Sequence, residues 1–157
     1  PDVGGVVRAR ALAKQLDCDM AIIDKRRPKP NVSEVMHVIG DIEGRHCVIM
    51  DDMVDTAGTL VKAAEVLKER GAEKVFAYVT HPILSGPAVE RLSHCGAHEI
   101  VFMDTVPVPE EKRLPNMTVL SCAPLLAAGI RSVFEEGSVA ILLDGLPEDM
   151  RPRNIYA

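Results

Sequence analysis

The sequence is poor in aromatic residues and has no long apolar run. Among 157 residues there is no tryptophan, and there are only two tyrosines and three phenylalanines, which leaves little for nucleic-acid bases to stack on. The formal net charge of −5 also argues against a nucleic-acid binder, because the phosphate backbone attracts basic surfaces. No stretch is long enough to span a membrane, and no signal-peptide pattern is found. These absences predict a soluble, cytoplasmic protein whose partners include neither nucleic acid nor a membrane.

Cysteine is scarce and widely spaced. The four cysteines form no CxxC pair, so they are predicted to be free, mostly buried thiols in a reducing compartment. They are Cys18, Cys47, Cys95 and Cys122. A zinc site at His94, Cys95 and His98 stays open as an alternative, but it lacks a matching second pair of ligands. A helix end followed by a loop is the favoured interpretation.

The length and composition fit one globular domain. With 157 residues, 47% of them hydrophobic, the chain can bury a single core. We expect a domain over residues 1–143 and an irregular tail over residues 144–157. Because the sequence opens on Pro1-Asp2 rather than Met, we also expect it to be the later part of a longer protein.

Apolar runs of strand length alternate with amphipathic segments of helix length. This order predicts an α/β domain, a parallel sheet in a three-layer α/β/α arrangement. Predicted helices cover about residues 6–16, 59–70, 85–93 and 123–135. The first is expected to face inward with Ala9, Leu12, Ala13 and Leu16 and to leave Arg8 in solvent, and the second to carry Leu60, Ala63, Ala64 and Leu67 on one side. Predicted strands cover residues 20–23, 35–39, 47–50, 75–79, 99–103, 119–120 and 138–143, the second of them antiparallel or at an edge. Residues 24–30, with four cations and two prolines, are predicted to be an exposed loop.

Polar residues follow almost every predicted strand. In parallel sheets the carboxyl ends of the strands share one edge, and ligands gather there. We therefore expect these residues to form one cluster, suited to a phosphorylated, metal-bound ligand. They are Asp2, residues 25–27, residues 51–59, Thr80 with His81, and Asp104 with Thr105.

The stretch from Cys47 to Thr59 carries the strongest functional signal. An apolar run, Cys47 to Met50, is predicted to be a strand buried on both faces, and two carboxylates, Asp51 and Asp52, follow it. The small residues of 55–59 then lead into a helix, whose free N–H groups and dipole can hold a phosphate. Carboxylates beside a phosphate need hydroxyls or a cation to face, which a sugar phosphate supplies. The alternative is an ordinary turn in which Asp55 or Thr56 caps the helix and the acids are solvated.

This string resembles the ribose-5-phosphate and phosphoribosyl diphosphate (PRPP) loop of type I phosphoribosyltransferases and of ribose-phosphate pyrophosphokinases, also called PRPP synthetases. The second family matches further stretches in order, from residue 1 to about residue 138, which would be the second half of its polypeptide. These stretches are residues 1–10, residues 24–28, residues 35–59 and residues 76–82.

The resemblance implies a PRPP synthetase of the type I phosphoribosyltransferase fold, which transfers the pyrophosphoryl group of ATP to the C1 hydroxyl of ribose 5-phosphate with Mg²⁺ as cofactor. It implies a metal-binding residue, two catalytic residues from a flexible loop, two residues for the ribose hydroxyls and a phosphate loop. In that order they are Asp2; Lys25 and Arg27, the latter also binding substrate; Asp51 and Asp52; and Asp55, Thr56, Ala57, Gly58 and Thr59. The family's first domain, which supplies most of the ATP contacts, is absent, so we expect this chain alone to be inactive. Family members are homo-oligomers, commonly hexamers.

Two other functions remain open. One is a phosphoribosyltransferase that consumes PRPP, against which the string at residues 24–28 counts. The other is a non-catalytic regulatory subunit associated with PRPP synthetase. The sequence argues against a P-loop kinase because it has no GxxxxGK[ST] string.

Overall fold

A computed structural model describes residues 5–26 and 35–144 of the chain. The chain forms two compact units, one up to Val119 and one from Leu120 onward. The predicted tail at residues 144–157 lies almost wholly outside the described residues, so it stays a prediction, as does the domain boundary.

The described residues form four α-helices and six β-strands. The helices are α1 (Val6–Leu16), α2 (Gly58–Glu69), α3 (Ala88–His94) and α4 (Ala123–Phe134). The strands are β1 (Ile22–Arg26), β2 (Val35–Ile39), β3 (His46–Val54), β4 (Lys74–Pro82), β5 (Glu99–Met103) and β6 (Met117–Leu120). Short 3₁₀ helices cover Glu110–Lys112 and Val139–Asp144.

Four strands form the main sheet, in the order β3-β4-β5-β6. The β3–β4 and β4–β5 pairs are parallel, which confirms the predicted α/β class. In the register Ile49 pairs with Ala77, and Ala77 pairs with Ile100. All three side chains are buried, because residues in register across a sheet lie on the same face.

Helix α2 covers this buried face. Its four buried residues, Leu60, Ala63, Ala64 and Leu67, recur at the helical spacing of three and four and are the four that the sequence predicted. The largest fully buried side chain is Phe102 of β5. The buried face of the sheet and α2 thus form one hydrophobic core under the carboxyl edge of β3.

The hairpin of β1 and β2 differs from the prediction for residues 20–30. Instead of joining the parallel sheet, β1 pairs antiparallel with β2, Ile22 opposite Ile39 and Arg26 opposite Val35. The predicted loop starts too early, because residues 24–26 belong to β1. Residues 24–26 pair along the backbone with residues 35–37 of β2, a contact between distant segments that the local composition does not report. The two prolines at 28 and 30 lie outside the described residues.

Strand β3 also departs from the prediction, in burial and in length. Among the described strands it is an edge strand of the main sheet, with Val48 47% and Met53 53% exposed. It is therefore not buried on both faces, and it continues through Asp51 and Asp52 as far as Val54. The predicted inward face of α1 lines a cavity of about 230 Å³ beside β3 rather than packing tightly.

The predicted strand at residues 138–143 is wrong. This segment begins with an amide of Ala140 that donates to the Ser138 hydroxyl and continues as the 3₁₀ helix Val139–Asp144. A serine hydroxyl that binds the amide two residues on favours a turn over an extended chain. In the described ranges, no helix has the length and apolar character that a membrane crossing requires.

Candidate functional site

The loop between β3 and α2 is held in an unusual backbone conformation. Ala57, the N-cap residue of α2, has φ 61° and ψ 1°, the left-handed region that disfavours residues with a Cβ. Ala57 is only 5% exposed, so the packing of the surrounding core holds it in this strained conformation. Strained residues of this kind concentrate at functional sites.

The start of α2 has no side-chain cap. The alternative in which Asp55 or Thr56 caps the helix is therefore wrong. The first helical hydrogen bond runs from the Val61 amide to the Ala57 carbonyl, at 3.0 Å. The amides of residues 58–60 consequently have no acceptor within the helix, and they lie at the positive end of its dipole. Such a helix start binds anions.

A second segment, residues 83–85, fastens this loop through its backbone. The amides of Ile83 and Leu84 both donate to the Val54 carbonyl, at 3.0 and 3.1 Å, and the Ser85 amide donates to the Asp55 carbonyl at 3.0 Å. Leu84 is itself left-handed, with φ 53°, and its carbonyl accepts from the Lys112 ammonium at 3.0 Å. The loop thus rests on a second strained segment that is tied down in turn.

The side chains of Asp51 and Asp52 lie on opposite faces of β3, because successive side chains of a strand point to alternate faces. Asp51 is half-buried and lines the cavity beside β3 together with Thr59. One oxygen of Asp51 accepts from the Asp52 amide at 3.0 Å. An acid from β3 and a hydroxyl from the start of α2 therefore share one cavity.

Asp52 pairs instead with Arg8 of α1, at 3.1 Å. The hydrogen bond from Arg8 holds the pKa of the Asp52 carboxyl below its ordinary value, although some desolvation acts in the opposite sense. The sequence predicted Arg8 to be solvated, and its side chain is indeed 58% exposed. The ion pair was missed because the two residues are 44 positions apart.

The ends of β4 and β5 meet as predicted. The Thr105 hydroxyl donates to the Thr80 carbonyl at 2.7 Å, so its oxygen is left to accept from His81 Nδ1, 2.9 Å away. This arrangement places the proton of a neutral His81 on Nδ1 and leaves Nε2 as an acceptor. Polar residues from β3, β4 and β5 therefore do collect at one edge of the sheet.

Three of the predicted site residues cannot be placed in this geometry. Asp2 and Arg27 lie outside the described residues, and Lys25 lies in β1 opposite Met36, its side chain not being described. In the part of the chain that is described, no three His, Cys, Asp or Glu side chains are grouped to hold a metal ion. His94 Nδ1 instead lies 2.8 Å from the Glu90 carbonyl oxygen.

Fold and site together define an α/β protein whose parallel sheet presents an anchored, uncapped helix start at its carboxyl edge. The family model described as the phosphoribosyl synthetase-associated domain matches residues 4–144. The chain belongs to that family, which confirms the resemblance found in the sequence.

Individual relatives agree with this assignment. The chain is 62% identical over 143 residues to the ribose-phosphate pyrophosphokinase of Burkholderia pseudomallei, covering 90% of this chain and 45% of that protein. It is 57% identical over 146 residues to the enzyme of the same name from Buchnera aphidicola, covering 92% and 46%. The crystal structure of phosphoribosylpyrophosphate synthetase from Mycobacterium smegmatis matches with a TM-score of 0.78 and 46% identity, over 87% of this chain and 44% of that one. The chain therefore spans less than half the length of these relatives.

Proposed function

We propose that this chain is the sugar-phosphate half of a ribose-phosphate pyrophosphokinase, a cytoplasmic enzyme. In that reaction the C1 hydroxyl oxygen of ribose 5-phosphate bonds to the β-phosphorus of ATP, the bond from that phosphorus to AMP breaks, and the hydroxyl proton is released. The products are PRPP and AMP. The observation that carries the proposal is the anchored, uncapped start of α2 beside Asp51.

The loop would bind the 5-phosphate of the sugar. In the proposed complex the amides of residues 55–60 donate to its oxygens, with the dipole of α2 adding favourable charge. The Thr59 hydroxyl adds a side-chain donor. With these donors the loop can hold the phosphate without a lysine as counter-charge.

The carboxylates would hold the ribose hydroxyls. A carboxylate accepts hydrogen bonds from two adjacent hydroxyls and so fixes the sugar's orientation. Asp51 is the better placed of the two, because it shares a cavity with Thr59. Asp52 would reach the sugar from the other side of β3, with Arg8 keeping it ionised.

The pyrophosphoryl group would be handled by residues outside this geometry. We propose that Lys25 and Arg27 neutralise the charge that develops on its oxygens. Mg²⁺ is commonly held in proteins by one or two carboxylates and by substrate phosphates. Asp2 would supply the carboxylate, and the ion would neutralise phosphate charge.

The cysteines support the cytoplasmic location. None of the four forms a disulfide bond, and only Cys95 is buried, so the thiols are less buried than predicted. Burial raises the pKa of the Cys47 and Cys95 thiols. Thiols that stay protonated resist oxidation, and unpaired cysteines are typical of a reducing compartment.

Assembly is the second part of the proposal. Leu126, Ile130 and Phe134 of α4 recur at every fourth position on one helix face and are 60%, 71% and 88% exposed. An exposed apolar stripe of this kind is typical of an interface. It supports a homo-oligomer, hexameric in the whole enzyme, in which neighbouring subunits help to bind ATP.

Titration calorimetry in the presence of Mg²⁺ should detect binding of ribose 5-phosphate to this chain. We expect Thr59→Ala and Asp51→Asn each to weaken binding by about threefold to tenfold, because each removes a hydrogen-bonding partner of the sugar phosphate. Arg70→Gln, an exposed change at the far end of α2, is the matched control and should bind as the unchanged chain does. Equal binding by all four proteins would contradict the assignment of the site.

The reaction itself needs the other half of the enzyme. We expect that fusing the N-terminal half of the Burkholderia relative to this chain gives a protein that releases AMP from ATP only when ribose 5-phosphate is added. Chromatography of the nucleotides measures this directly. A phosphoribosyltransferase would instead release pyrophosphate from PRPP and no AMP, and a regulatory subunit would do neither.

A further inference from the structure

We propose that Arg91 is a positioning residue for the phosphate loop, acting through the peptide that joins Thr56 to Ala57. The inference rests on the proposed function of that loop. Arg91 lies on α3, 35 residues further along the chain, and its Nη1 donates to the Thr56 carbonyl at 2.9 Å. The same nitrogen lies 3.4 Å from the position that a Cβ on Gly58 would occupy. The guanidinium therefore lies directly against the loop.

The direction of this hydrogen bond decides what Arg91 does. A trans peptide is planar, with its C=O and N–H pointing opposite ways. The carbonyls of residues 54 and 55 are held by residues 83–85, and the Thr56 carbonyl is held by Arg91. Three successive carbonyls thus point toward the segment from Ile83 to Arg91. The amides of the same peptides, those of residues 55–57, must point away from it, toward the side where the phosphate is proposed to bind.

Arg91 differs from the other anchors because it is charged. A cation on a carbonyl polarises the whole peptide and makes its N–H a stronger donor. The peptide between Thr56 and Ala57 would thus connect the guanidinium on one side to the phosphate on the other. Arg91 would raise phosphate affinity without touching the phosphate. It would also hold Ala57 in its left-handed conformation, since rotation of that peptide would break the hydrogen bond.

Nearby acidic residues repel a phosphate, and a positive charge at the loop would offset that repulsion. Asp51 and Asp52 lie just before the loop and Asp55 lies in it, and their charges oppose the approach of a phosphate. Arg8 is paired with Asp52. Arg91 is therefore a cation placed on the loop itself, and its removal should affect a phosphorylated sugar more than an uncharged one.

The test compares Arg91→Gln, Arg91→Lys and Arg70→Gln with the unchanged chain. Binding of ribose 5-phosphate, of inorganic phosphate and of ribose is measured by calorimetry, and the Ala57 amide is followed by ¹⁵N–¹H NMR. We expect Arg91→Gln to lose about threefold to tenfold in affinity for both phosphate-bearing probes and to keep its affinity for ribose. The Ala57 amide proton should move upfield, while Arg91→Lys should recover part of the loss. Arg70→Gln should match the unchanged chain in every measurement.

The outcomes separate the two proposals. If the unchanged chain binds ribose 5-phosphate and Arg91→Gln binds it equally well, the role of Arg91 is overturned and the loop assignment stands. A loss shared equally by ribose and ribose 5-phosphate would also overturn it, because that pattern indicates a general structural defect. If the unchanged chain fails to bind ribose 5-phosphate, the proposed function itself fails, and the role of Arg91 fails with it.

Discussion

Replacing Ala57 by valine should lower the affinity of the chain for ribose 5-phosphate by something on the order of a hundredfold. Ala57 has φ 61°, and a left-handed residue with a Cβ already costs about 1–2 kcal/mol. A branched Cβ makes that conformation still less favourable, so the peptides on either side should rotate. Rotated peptides would no longer donate to the phosphate, and the loss of one or two hydrogen bonds to a charged group, at about 1.5–3 kcal/mol each, gives a loss of affinity of this size. Titration calorimetry measures the affinity.

Ala57→Gly is the matched control, since glycine adopts the left-handed region without strain. The affinity of Ala57→Gly for ribose 5-phosphate should lie within about threefold of that of the unchanged chain. Its free energy of unfolding should be equal to that of the unchanged chain or higher by roughly 0.5–1 kcal/mol. If Ala57→Val bound as well as Ala57→Gly, the left-handed conformation would have no part in binding. Far-UV circular dichroism of both variants establishes that each is folded.

The parallel sheet could be predicted from local patterns because its elements depend on short-range periodicity. Helix α2 was predicted with all four of its buried residues, Leu60, Ala63, Ala64 and Leu67, and Glu99–Met103 was predicted with the bounds that the structure shows. Both segments bury one clear face, which fixes the element type and its orientation together.

The errors arose where the partner of a segment decides its structure. Ile22 and Ile23 read as a buried parallel strand, yet they pair antiparallel with β2, a choice that depends on residues more than a dozen positions away. Val48 reads as buried because its neighbours are apolar, yet it is 47% exposed on a strand that lies at the edge of the sheet among the described strands. Composition does not report position within a sheet.

The position of the candidate loop was predicted from the sequence, and the contacts that support it were missed. Residues 55–59 were expected between a strand and a helix, and they lie between β3 and the first turn of α2; their part in binding stays a prediction. Nothing in the local sequence marks Arg91 as the partner of the Thr56 carbonyl or Arg8 as the partner of Asp52. Such contacts depend on the packing of α3 and α1 near the loop, which only the folded chain defines. The conformation of Ala57 was likewise invisible, since alanine has no preference for positive φ.

Replacing Phe102 by alanine should destabilise the folded chain by about 3–5 kcal/mol, the usual cost of removing a large buried aromatic side chain. Phe102 is 0% exposed and lies on β5 opposite Val79 of β4, so its loss leaves a cavity between the sheet and the elements that cover it. The cost is a large share of the roughly 5–15 kcal/mol that stabilises a typical domain. Because the chain has no tryptophan, urea unfolding is best followed by circular dichroism rather than by fluorescence.

Val7→Ala is the matched control, because that valine is 75% exposed on α1 and its loss should change stability by no more than about 0.5 kcal/mol. The comparison also bears on the site. Thr105 follows β5 and joins His81 by the hydrogen bond to its Nδ1, so loosening of β5 should release His81 before the whole sheet unfolds. The His81 ring signals should therefore broaden in Phe102→Ala at urea concentrations that leave the chain largely helical. Equal stability of the two variants would mean that β5 is not part of the core on which the site depends.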